Sequence, residues 1–322
     1  MLEYFIYMND YITSALARSD FAYCKQFIFS FGSNYALGVR LFPKSIQRAT
    51  IIFYAFVRYV DEIVDNPDQS IPGQTHASVD DFIRAWEQVM NHEPDENTHP
   101  VIRANYYLFL EYQIPFSYLD DFLVAMKQDM TKKRYHQYAE LEHYMWGSAT
   151  IVGHVMTYFV GYYDAAAFGD ARALAEAMQL ANFLRDVNED YVDRDRIYLP
   201  LNDMELFGVS ESDIVAGEMN DRLRNFIRHY VERTEKLFAQ GISGLHFLKK
   251  GQFSILLASR MYRENIRILA KRDYDIFGQK IRLSKWHKIG ILITTTIMYP
   301  FWRLFGSRPV LELEKDMETL TD

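Results

Sequence analysis

Residues 179–200, Q-L-A-N-F-L-R-D-V-N-E-D-Y-V-D-R-D-R-I-Y-L-P, are the stretch whose reading decides the fold. Gln179, Asn182, Asp186 and Asp190 recur at intervals of three and four, so on a helix they form one polar line, flanked by Arg185 and Glu189. The helix is expected to begin near Ala171. Carboxylates four residues apart face a common point, and paired carboxylates attract hard cations.

A second stretch repeats the pattern. In Y-A-F-V-R-Y-V-D-E-I-V-D, residues 54–65, the side chains of Tyr54, Arg58, Asp61 and Asp65 fall within an arc of roughly 60° on a helix. The surrounding residues, 51–53 and 55–57, are apolar. Taken singly, either acidic pair reads as a solvated helix face. Taken together they read differently, because each runs through a segment apolar enough to be core, where unpartnered carboxylates and amides cost several kcal/mol. Each also has an arginine beside it, a mixture suited to holding a phosphate through bridging Mg²⁺ and charge-assisted hydrogen bonds.

Composition narrows the alternatives. The chain has 322 residues, 49% hydrophobic, with 23 Tyr, 23 Phe and 4 Trp, enough for a sizeable core. Its net charge of −8 argues against a nucleic-acid footprint, and an acidic protein binding an anionic ligand needs local cations. No G-x-G-x-x-G, P-loop or H-E-x-x-H sequence occurs, which removes support for dinucleotide, Walker-type and zinc sites. Cys24 is the only cysteine, so no intrachain disulfide forms and a reducing, cytoplasmic setting is expected. Residues 1–10 carry Glu3 and Asp10 with no basic run, unlike a signal peptide.

Three- and four-residue apolar spacing dominates and alternating Val/Ile/Thr runs are scarce, so the class is all-α. Breaks are expected at 66–78, 91–100, 163–170 and 193–203, where Pro, Gly, Asn and Asp concentrate. Pro67 ends the first acidic helix, and Ser78 reads as the N-cap of the next. A helix is expected over residues 119–132, followed by the basic run Lys132-Lys133-Arg134, read as solvated, with guarding of a pocket mouth as the alternative. The expected organisation is one helical domain over residues 1–305 and an acidic tail over 306–322.

Near the end, Lys271, Arg272, Lys280, Arg282, Lys285 and Lys288 precede an apolar stretch at 289–302. That stretch contains Pro300 and falls short of the roughly 20 residues needed to span a bilayer. Two readings stay open: peripheral contact of residues 271–305 with the inner face of a membrane, or a final core helix.

These motifs together resemble the squalene/phytoene synthase family, the head-to-head prenyl diphosphate condensing enzymes, over residues 25–290. Residues 179–200 resemble its second aspartate-rich signature with the trailing R-x-Y-L-P, and residues 54–65 its first, with Glu62 where a second aspartate is common. H-Y-M-W-G-S-A-T-I-V-G at 143–153 and Y-D-I-F-G-Q-K-I-R-L-S at 274–284 are similar to two further family blocks, the latter more like phytoene synthases. Ala149-Thr150 stands where Ala-Gly is usual, which narrows the pocket. The phosphate-contacting segment near the N-terminus is partly kept as Gly32-Ser33-Asn34-Tyr35.

The resemblance implies an all-α isoprenoid synthase fold with a central cavity and a set of roles. Asp61, Glu62, Asp65, Asp186 and Asp190 would hold Mg²⁺, or Mn²⁺. Ser33, Arg58, Gln179, Asn182 and Arg185 would bind substrate diphosphate, with Arg58 and Arg185 assisting its departure. Tyr54, Tyr144 and Tyr262 would stabilise the allylic cation or relay a proton, since π faces attract positive charge. The implied reaction joins two prenyl diphosphates through a cyclopropylcarbinyl diphosphate. The preferred substrate is C20 geranylgeranyl diphosphate, giving phytoene with no NADPH. The alternative is C15, giving squalene, dehydrosqualene or presqualene diphosphate. A non-catalytic scaffold relative is expected to have lost the metal-binding acids, and all four aspartates are present. A terpene cyclase or head-to-tail prenyltransferase fits D-E-x-x-D at Asp61 but not residues 179–200.

Overall fold

The computed structural model describes residues 11, 14–30, 39–65 and 78–305, and among them the regular structure is helical. No strand occurs there; two isolated bridges link Arg134 with Ile197 and Tyr162 with Leu248. The all-α expectation holds. Ser33 and the tail at 306–322 lie outside the described residues.

The chain forms two compact units. The first comprises Met1–Thr131 with Tyr158–Val160, the second Lys132–Thr157 with Gly161–Asp322.

In the first unit, helices α1 (Ala15–Ser30), α3 (Val79–Asn91), α4 (Pro100–Tyr112) and α5 (Ser117–Asp129) pack around α2 (Lys44–Asp65). Helix α2 is central because apolar residues cover most of its circumference outside the Tyr54–Asp65 line: Ile51, Ile52, Phe53, Ala55, Phe56, Tyr59, Val60 and Ile63 are all buried. Phe56 meets Phe82, Trp86 and Phe122 at ring separations of 5.1, 5.7 and 6.2 Å, a range in which aromatic pairs add to simple burial. Ser78 is the N-cap of α3, its hydroxyl accepting from the Asp81 N–H at 3.1 Å. Helix α5 starts at Ser117 and stops at Asp129, earlier at both ends than the sequence spacing suggests.

In the second unit, helices α6 (Tyr138–Met145) and α7 (Ile151–Val160, whose last turn belongs to the first unit) are joined by a π-helical turn, Trp146–Thr150. They lead to α8 (Ala167–Arg194), the unit's centre, which packs on α11 (Asp221–Ser243) and α12 (Gln252–Lys271). The short helices α9 (Leu201–Leu206) and α10 (Glu211–Val215) precede α11, and α13 (Lys285–Phe305) packs on α12. Small residues let α8 and α11 approach closely: a Cβ at Gly241 would lie 2.6 Å from Leu174 Cβ.

Helix α8 begins at Ala167, earlier than expected, because the Asp164 carboxylate accepts from the Ala166 N–H at 2.8 Å and organises the turn before it. It ends where Asp195 adopts φ 50°, with the Arg196 N–H donating to the Asp190 carbonyl at 2.9 Å.

The run Lys132-Lys133-Arg134 is not a solvated stripe. Arg134 pairs with Glu211 at 2.9 Å and Asp195 at 2.8 Å, Lys133 donates to the Arg194 carbonyl at 2.6 Å, and Lys132 meets Glu140 at 2.9 Å. Lys133 and Arg134 fasten the end of α8, a task that depends on contacts some sixty residues apart and is invisible in the local pattern.

Candidate active site

In the first unit, Tyr54, Arg58, Asp61 and Asp65 lie along α2. Arg58 is the hub. Its Nη1 meets Asp61 Oδ2 at 2.6 Å and its Nη2 pairs with Glu62. Glu62 is buried, whereas Asp61 keeps 40% of its side chain open and Asp65 is exposed. The structure therefore separates the acids by environment: Asp61 and Asp65 are accessible, while Glu62 neutralises the inner side of Arg58. Surrounding protein bulk, and next the negative charge of Asp65, push the Asp61 carboxyl up to about 6, with Arg58 pulling the other way.

In the second unit the line on α8 is completed from elsewhere in the chain. Arg185 donates to Asp186 through Nε and Nη2, at 2.8 and 2.5 Å. Those bonds hold the guanidinium proton more firmly than usual, against burial, and the neighbouring Tyr262 and Glu189 add to the effect. Lys280, from the loop between α12 and α13, lies 3.6 Å from the Asp186 carboxylate and pairs with Glu189. Asp190 is buried and meets Arg194 at 3.5 Å. Gln179 and Asn182 lie half-buried on the same helix.

Tyr144 is buried in an aromatic stack, 5.5 Å from Tyr135, 5.6 Å from Tyr198 and 6.4 Å from Phe183 between ring centres. Tyr262 is half-buried on α12.

Two features escaped the sequence reading. Lys280 read as one member of a basic cluster beside an apolar stretch, and its position in the Q-K-I-R block was the available signal. The turn Trp146–Thr150 takes a π-helical path through small residues, a geometry often found at functional sites, and W-G-S-A-T was its only trace.

Among the described residues, no three Asp, Glu, His or Cys side chains converge into a ready-made metal cage. The pairs nonetheless suit Mg²⁺, which typically takes one or two carboxylates and completes its shell with water and substrate phosphate oxygens. The donors are all hard oxygens, and burial, with the Asp65 charge next, raises the Asp61 carboxyl, so this carboxylate is one that added positive charge would favour.

Comparison with known proteins follows the same line. The squalene/phytoene synthase family model matches residues 30–287. The chain is 28% identical over 296 residues to a phytoene synthase of Arthrospira platensis, covering 86% of this chain and 92% of that protein. It is 30% identical over 266 residues to a phytoene synthase of Thermus thermophilus, covering 81% and 86%. A dehydrosqualene synthase crystal structure with bound ligand superposes with a TM-score of 0.77 at 25% identity, over 88% of this chain and 98% of that one. An all-helical fold with these relatives defines an enzyme of the prenyltransferase class. Within that class, the chain belongs to the squalene/phytoene synthase family.

Proposed function

We propose that the chain joins two geranylgeranyl diphosphates head to head to form phytoene. The observation that carries this reading is similarity to phytoene synthases along more than four fifths of the chain, in a protein that keeps both acidic pairs. Asp61 with Asp65, and Asp186 with Asp190, would hold Mg²⁺, whose chemistry when bound is to neutralise the departing diphosphate. Arg58 and Arg185, each seated beside the first acid of its pair, supply charge-assisted hydrogen bonds to diphosphate oxygens.

Loss of one diphosphate and one proton gives a cyclopropylcarbinyl diphosphate. Loss of the second diphosphate and a second proton gives the C40 hydrocarbon, with no reductant consumed. Tyr54, Tyr144 and Tyr262 offer π faces to the cations formed on the way.

The dehydrosqualene synthase likeness favours a second reading, condensation of two farnesyl diphosphates. One assay separates them: purified protein with Mg²⁺ and either the C20 or the C15 diphosphate, with and without NADPH, and extraction of the hydrocarbon. A C40 product independent of NADPH is expected. Turnover confined to the C15 substrate overturns the C20 assignment.

A further inference from the structure

Asp190 is the last acid of the α8 line, and the chain turns back beside it. With Asp195 at φ 50°, the Arg196 N–H donates to the Asp190 carbonyl at 2.9 Å, so residue 196 returns to residue 190 although the helix has ended between them. The turn is held from outside by Arg134, which pairs with the Asp195 carboxylate at 2.8 Å and bridges to Ile197. Backbone geometry alone therefore places residue 196 beside the acid line.

The Arg196 side chain goes inward. Only 6% of the residue is exposed. Together with Phe183, Val187, Asp190 and Tyr198 it lines a cavity of about 10 Å³, no larger than one water needs. Asp190 is 8% exposed and is the only acid among the residues around that cavity. Arginine does not give up its proton, and a buried guanidinium is stable only beside opposite charge and hydrogen-bond acceptors. Asp190 supplies the charge. Tyr198 supplies an acceptor, its hydroxyl taking a bond from Arg196 Nη1 at 2.8 Å. That acceptor is itself fixed, because the Tyr198 ring stacks on Phe183 at 4.0 Å and lies 5.6 Å from Tyr144 and 5.9 Å from Tyr135.

The other arginine near Asp190 is of a different kind. Arg194 meets it at 3.5 Å with 45% of its side chain in solvent, and a long, exposed pair orients a carboxylate weakly. A carboxylate that ligates a metal keeps its aim when a fixed group behind it holds one side.

We propose that Arg196 is the positioning residue for Asp190, holding the buried side of the carboxylate so that its other side is presented to the cation. This rests on the reading of Asp186 and Asp190 as metal ligands. Charge alone gives the opposite expectation, since removing a cation beside Asp190 strengthens its attraction for a divalent ion. The sign of the effect therefore separates positioning from simple electrostatics.

The test is titration of the purified full chain with Mn²⁺ in the presence of inorganic diphosphate, free Mn²⁺ being read by electron paramagnetic resonance. The variant is Arg196→Met, whose flexible apolar side chain fills the space. It is expected to bind Mn²⁺ about 10- to 100-fold more weakly while keeping its helical circular dichroism. Equal or tighter binding overturns the proposal and leaves the metal reading standing, even where the variant melts earlier, because a merely structural arginine lowers stability without changing the affinity of the folded protein. No Mn²⁺ binding by the unaltered protein removes the metal reading, and the proposal with it. Where Arg196→Met does not fold, Tyr198→Phe decides: it keeps the stacked ring and deletes only the acceptor that anchors Arg196. Its Mn²⁺ affinity is expected to fall about threefold or more, the scale of one hydrogen bond, and unchanged affinity overturns the proposal.

Discussion

Arg103 closes on Asp20 through two parallel bonds, Nε to Oδ2 at 2.8 Å and Nη2 to Oδ1 at 2.6 Å, with both side chains buried. Tyr11 donates a third bond to the same carboxylate at 2.7 Å. The remaining Arg103 nitrogen donates to the carbonyls of Asp95 at 2.7 Å and Thr98 at 2.5 Å. One guanidinium thus ties α1, α4 and the loop before α4 together. A buried ion pair stabilises little against an apolar substitute, but breaking one side leaves an uncompensated charge. Asp20→Ala is expected to destabilise the protein by about 3–5 kcal/mol in urea unfolding. A loss below about 1 kcal/mol, the scale of an exposed pair, contradicts this account.

Asp186 sits where Arg185 and Lys280 converge. Asp186→Ala removes a proposed metal ligand from a half-buried position and leaves no large cavity. Turnover is expected to fall roughly a thousandfold, the equivalent of about 4 kcal/mol of transition-state stabilisation, with the circular dichroism spectrum unchanged. Near-normal turnover would remove Asp186 from the mechanism.

Asp61 carries a stability penalty of predictable sign. Its carboxyl is raised to about 6, while an unfolded aspartate titrates near about 3.9, so the folded protein binds this proton more tightly. Stability at this position is therefore full below about pH 4 and declines as pH rises through about 6. Asp61→Asn cannot ionise. In metal-free buffer at neutral pH it is expected to melt above the unaltered protein, by a small margin because 40% of the side chain is solvent-screened. That margin is expected to close below about pH 4. Thermal scans at several pH values check both; a lower melting temperature at neutral pH reverses the sign and refutes the argument.

Gly241 marks the close approach of α11 to α8. A Cβ there would meet backbone atoms Leu174 Cα and N, both at 2.8 Å, and backbone cannot swing aside as a side chain can. Gly241→Ala gains about 1 kcal/mol of helix propensity but incurs overpacking of about 1–3 kcal/mol. Net destabilisation is expected, larger for Gly241→Val. Equal or higher stability of the Ala variant in chemical denaturation would show that the helices can part freely.

Much of the fold was legible because its signals are local. The α2 stripe, the Ser78 cap and the α8 line each depend on residues within a turn or two of one another, where spacing and capping chemistry act directly. The boundaries that missed had equally specific causes: the Asp164 carboxylate drew the start of α8 forward. The basic run at 132–134 and Lys280 were misread because their partners, Asp195 and Glu211 for one and Asp186 and Glu189 for the other, lie far along the chain.

By itself, then, the sequence determined the helical class, the two acid pairs and the arginine beside each, since a 3.6-residue period converts spacing into shared faces without reference to anything distant. Only the tertiary structure decided that Glu62 turns inward to Arg58 while Asp61 stays open, that Lys280 reaches the α8 acids, and that α13 hides one face and bares the other. Those outcomes depend on which surfaces the packing of other helices leaves uncovered, and burial is a property of the assembled molecule.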